Sequence, residues 1–110
     1  MPEFVHKNLA AGRWRELTLM EQLGNIGSEV SRAAMAQGKN EKRFENAFER
    51  ALELFDLTLE DPRWEGRRKE IARAREVFCD AALGGKEHYA SLKDIDEYFM
   101  PFAVMARGKG

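Results

Sequence analysis

Residues 17–61, LTLMEQLGNIGSEVSRAAMAQGKNEKRFENAFERALELFDLTLED, decide the fold class. Leu19, Leu23, Ile26, Val30 and Ala33 recur at steps of three and four, the period of a helix with one apolar face. Thr18, with Glu21 three residues on, has capping-box spacing and starts that helix. Gly38 suits its C-terminal stop. Asn40 is a good N-cap for a second helix. There Phe44, Ala47, Phe48, Ala51, Leu52, Leu54, Phe55, Thr58 and Leu59 cover a wide arc. An arc that wide implies burial on more than one side. In a short chain, part of that burial can come from another subunit.

The same periodicity extends downstream. Asp61-Pro62 reads as an N-cap followed by proline at the first helical position. Trp64, Ile71, Ala74, Phe78 and Ala81 form the next apolar stripe, which stops at Gly84-Gly85. Ser91, with Asp94 in capping-box position, opens a last helix carrying Leu92, Ile95, Phe99, Phe102 and Ala106. Pro101 falls inside it and removes one backbone hydrogen bond, which predicts a kink. Upstream, residues 1–17 hold Phe4, Val5, Leu9, Trp14 and Leu17 around Gly12. They read as an arm or a short helix lying across the bundle end or a neighbouring subunit. No period-two run suggests a strand. The expectation is an all-α, single-domain antiparallel four-helix bundle with a short N-terminal arm. Its helices span about 18–37, 40–60, 62–83 and 91–107, joined by short connections that favour antiparallel neighbours.

Composition narrows the function classes. The chain has 110 residues, 18 Lys+Arg against 19 Asp+Glu, and a formal net charge of −1. No global basic field draws it to nucleic acid. The one cysteine, Cys79, rules out an internal disulfide and fits a reducing cytoplasm. No stretch reaches the roughly 18 apolar residues of a membrane span, and no signal peptide or anchor is evident.

Known chemistries find little purchase. Neither His6 nor His88 follows a glutamate by three positions, as a di-iron bundle requires. No arginine precedes either by the four to six residues seen in small bundle nucleases. One cysteine and two distant histidines do not make a zinc site. Cys79, beside Phe78, reads as a packed thiol, and His88 as a solvated loop residue. Gly84-Gly85-Lys86 lacks Walker spacing. No catalytic residue, cofactor or metal is expected.

Three surface features stand out instead. Gly24, Gly27, Ser28 and Ser31 lie inside the first helix. Each glycine there costs roughly 1 kcal/mol against alanine, so a close helix contact is expected in return. Glu45, Glu49, Glu53, Asp56 and Glu60 form an acidic line on the second helix. Like charges four apart repel by about 0.2–0.5 kcal/mol per pair. That line reads as a solvated face, as a partner for basic groups of the third helix, or as a metal or cationic-ligand site. Residues 63–75 carry six basic residues against Glu65 and Glu70. Among these, Arg67, Arg68, Lys69, Arg73 and Arg75 form an ion-paired face or a nucleic-acid contact, with only Trp64 nearby for stacking.

The pattern of residues 18–60 resembles a known family. Gln22, the small Gly27 and Ser28, the Ala33…Gly38 exit, and Phe44 leading an Ala/Leu-rich helix are similar to the central two helices of the four-helix bundle proteins encoded in 23S ribosomal RNA intervening sequences. That family includes the accessory protein of diversity-generating retroelements. The resemblance implies a bundle that assembles as a ring, and an accessory role beside a reverse transcriptase. The family's long first helix would fall before residue 18, where this chain has a glycine-interrupted arm. The family's accessory protein is strongly basic, which this chain is not. The functional expectation is a non-catalytic, self-associating bundle acting as an adaptor or scaffold, with a protein partner or further copies of itself. The alternative is a nucleic-acid-binding accessory protein.

Overall fold

The computed structural model describes residues 12–84 and 91–108, with side chains through Phe102. It is all-helical, with no strand among these residues. Helix α1 spans Leu19–Ala36, α2 Glu41–Glu60, α3 Arg68–Ala82 and α4 Leu92–Gly108. The capping predictions agree with it. Thr18 Oγ1 accepts from the Glu21 N–H while Glu21 Oε1 accepts from the Thr18 N–H. Asn40 Oδ1 accepts from the Arg43 N–H. Ser91 and Asp94 exchange the same pair of bonds. Gly38 turns the chain at φ +77°, a conformation that a Cβ disfavours.

Helix α1 is the hub. It packs most extensively against α4 and next against α2, whereas α3 makes smaller contacts with α2 and α4. Ile26, Val30 and Ala33 of α1 are fully buried against Ala51 and Phe55 of α2, Phe78 of α3 and Phe99 of α4. Phe55 bridges the helices, with its ring 5.9 Å from Phe78 and 5.9 Å from Phe99.

One expectation changes. Residues 62–83 are not one helix: Pro62–Arg67 is a 3-10 segment, with Trp64 at φ −106°, ψ 22°, and α3 begins only at Arg68. The reason is a side-chain demand, since Trp64 turns inward to donate to Gln22. The described part of the arm takes the short-helix form, packed on its own chain. Gly12–Trp14 are helical, and Trp14 is buried in the core of its own chain. Phe4, Val5, His6 and Leu9, and the Gly85–His88 connection, lie outside the described residues. Helix α4 runs through Pro101.

Candidate functional site

Four features could carry function. The first is a buried polar junction where the segment before α1, the end of α2 and the 3-10 turn meet. Trp14 Nε1 donates to Thr58 Oγ1 at 2.9 Å. Gln22 Nε2 donates to the Trp14 carbonyl at 2.7 Å and to Asp61 Oδ2 at 3.2 Å, and its Oε1 accepts from Trp64 Nε1 at 2.8 Å. Arg63 Nη2 donates to Asp61 Oδ2 at 2.7 Å and to the Leu17 carbonyl at 2.8 Å. Its guanidinium carbon lies 4.4 Å from the Trp64 ring centroid. Hydrogen bonds from Arg63 hold the Asp61 carboxyl down at about 2, against an ordinary 3.8. Every buried side-chain polar atom among the described residues has a partner. A buried polar network with its members satisfied fastens the three segments together.

The second feature is the small-residue stripe. A Cβ built on Gly27 would stand 2.8 Å from Phe99 Cβ, so the glycine is what lets α4 approach α1. Gly24 is buried, Ser31 half-buried and Ser28 exposed, with Ser28 Oγ donating to the Gly24 carbonyl at 3.3 Å. All four line an open groove of about 530 Å³ between α1 and α4, closed on the far side by Asp96, Phe99 and Met100.

The charged stripes are the third. They meet within the chain at one point, Arg75 Nε donating to Asp56 Oδ1 at 3.0 Å. Glu45, Glu49, Glu53 and Glu60 make no ion pair among the described residues. On the basic side, Arg67 pairs with Glu70 at 3.0 Å, and Arg68 Nε donates to the Leu59 carbonyl at 2.9 Å. That leaves Lys69 and Arg73 exposed and outside any ion pair among the described residues. Of the five basic residues, Arg68 and Arg75 therefore hold the start and middle of α3 to α2, and Arg67 is paired locally.

The fourth was not anticipated. A groove of about 620 Å³ between α1 and α2, near their connecting turn, is lined by Arg32, Lys39, Arg43 and Arg50, with one carboxylate, Glu29. Glu29 pairs with Arg32 at 2.7 Å, whereas Lys39, Arg43 and Arg50 have no ion pair among the described residues. The exposed Met35 (71 %) stands at its edge. No contiguous run of basic residues signals this groove, because two helices contribute the charges; Arg43 and Arg50 seven apart on α2 were the only periodic hint.

Reactive groups are sparse. Burial pushes the Cys79 thiol above its ordinary pKa, which disfavours the nucleophilic thiolate. No group of three or more His, Cys, Asp or Glu among the described residues is placed to hold a metal ion, the acidic line of α2 included. No helix among them is long and apolar enough to cross a membrane. No family model matches the chain, and neither a curated protein nor a solved structure matches it.

Proposed function

We propose that this chain is a non-catalytic adaptor or scaffold: a single antiparallel four-helix bundle that associates with copies of itself in the cytoplasm. The observation that carries the reading is the apolar arc of α2. Phe44, Phe48, Leu52, Leu54 and Leu59 pack against the core yet stay only half-buried. Large apolar side chains left partly wet along one helix stabilise a complex more than a monomer. Met35, Leu83, Tyr98 and Met100 add exposed apolar area elsewhere. The resemblance of residues 18–60 to ring-forming bundle proteins fits the same reading.

Light scattering coupled to size exclusion at micromolar concentration tests it. The expected mass is a discrete multiple of the 12.6 kDa chain. A monomer across that range overturns the proposal. The nucleic-acid alternative through α3 ranks below it, because Arg67, Arg68 and Arg75 are committed within the chain. Charge reversal of Lys69 and Arg73 would abolish salt-sensitive RNA binding if that alternative held.

A further inference from the structure

We infer that the basic groove between α1 and α2 receives the acidic line of α2 from a second copy of the chain. The inference rests on the self-association proposed above and assigns its surfaces.

Both surfaces carry charge that no ion pair among the described residues neutralises. The groove has four cations and one carboxylate. The acidic line has five carboxylates, of which only Asp56 pairs with a cation among the described residues. The two cannot meet within one chain. At 100° per residue, positions 43, 46, 47 and 50 and positions 45, 49, 53, 56 and 60 lie about a third of a turn apart on one helix. Glu45 and Glu49 therefore point away from the groove that Arg43 and Arg50 line.

Between copies the match is close. Glu45 to Glu53 rise about 12 Å along α2, and Arg43 to Arg50 about 10 Å, with Arg32 and Lys39 adding width at the turn. The apolar parts agree as well. Phe48 and Leu52, half-buried, flank the acidic line on its core side, and Met35 flanks the groove. Exposed ion pairs alone contribute little, so this apolar margin matters. A protein helix fits better than a nucleic-acid strand. The groove has no aromatic residue to stack a base, and the acidic line a third of a turn away repels a long polyanion. The contact joins unlike surfaces, so it is heterologous and can propagate from copy to copy.

Two paired variants test this. In R43E/R50E the groove carries three carboxylates against two cations, and in E45K/E49K the Glu45–Glu53 stretch of the line carries two positive charges against one negative. All four positions are exposed, so both variants should keep the wild-type helical circular dichroism. Each alone should run as a monomer. An equimolar mixture should associate again in alternating copies, because the acidic groove of one variant then faces the basic line of the other and the unaltered groove and line match as before. Wild-type association should also weaken at least tenfold between 0.1 M and 1 M NaCl, as the screening length shrinks from about 10 Å to about 3 Å. This salt arm holds even if a variant misfolds. Association that persists in both variants, or at 1 M salt, overturns the inference while leaving self-association in place. A wild-type monomer overturns both. A monomer that binds a single-stranded RNA oligonucleotide through Arg43 and Arg50 assigns the groove to nucleic acid and overturns the inference.

Discussion

Asp61 sits where three segments meet, and its charge is held in place by its neighbours. The residue is 1 % exposed and accepts from Arg63, from the Arg63 backbone and from Gln22. Because its native pKa is about 2, below the ordinary 3.8, the unfolded chain takes up a proton first as pH falls. The stability it contributes is therefore complete above the unfolded pKa and is lost as pH drops from about 4 toward 2. A shift of that size corresponds to stabilisation on the order of 2 kcal/mol. Asp61→Asn should lower stability at pH 7 by about that amount and flatten the acid limb between pH 4 and 2. Urea unfolding followed by circular dichroism at pH 7, 4, 3 and 2 measures both effects. An unchanged acid limb would show that other carboxylates control acid unfolding. Asp61 as a helix cap was legible from Asp61-Pro62. Its burial was not, since Gln22 reaches it from 39 residues away.

Helix ends were the most legible elements, because a cap is decided by residues three apart. Thr18→Ala removes the side-chain acceptor for the Glu21 N–H and should cost about 1 kcal/mol. The inside of α1 shows the opposite logic. Alanine at an ordinary helical glycine stabilises by about 1 kcal/mol. At Gly27 the new methyl would meet Phe99 Cβ, an atom too near the α4 backbone to swing aside. Overpacking of this kind typically costs 1–3 kcal/mol, so Gly27→Ala should destabilise by roughly 1 kcal/mol net. Phe99→Ala keeps that Cβ, but Phe99→Gly removes it, so the Gly27→Ala/Phe99→Gly double variant should be less destabilised than the two single effects predict. Thermal unfolding of the four chains completes the cycle. The close approach at Gly27 was readable because a glycine inside a helix needs a reason. The break at Pro62–Arg67 was not, because the apolar stripe from Trp64 to Ala81 keeps helical spacing across it. Only the distant Gln22 acceptor explains why Trp64 leaves that register.

At the scale of the whole molecule, helix contacts are unequal, and so should be local stability. Helix α1 is packed by both α2 and α4, and its buried residues run from Gln22 to Ala36. Helix α3 buries only Ile71, Phe78, Ala81 and Ala82. Its first residue has no side-chain cap, and Leu83 just beyond its end is 78 % exposed. The Arg75–Asp56 pair that ties it to α2 is partly exposed and contributes little. Segments with few buried contacts open locally at lower free energy than the core. Amides of α3 should therefore exchange at least tenfold sooner than those of α1 in native-state hydrogen exchange, a gap of about 1.4 kcal/mol or more. Equal protection in the two helices would contradict the contact pattern. Concentration adds a second discrimination. Phe48 of α2 packs on Phe78 of α3, their rings 5.4 Å apart, and Phe48 is half-buried beside the acidic line. A second copy seated on that line would cover Phe48 and the seam behind it. Exchange from α3 should then slow as protein concentration rises, while exchange from the buried face of α1 changes far less. If α3 protection is independent of concentration across the association range, the acidic side of α2 is not where the copies meet.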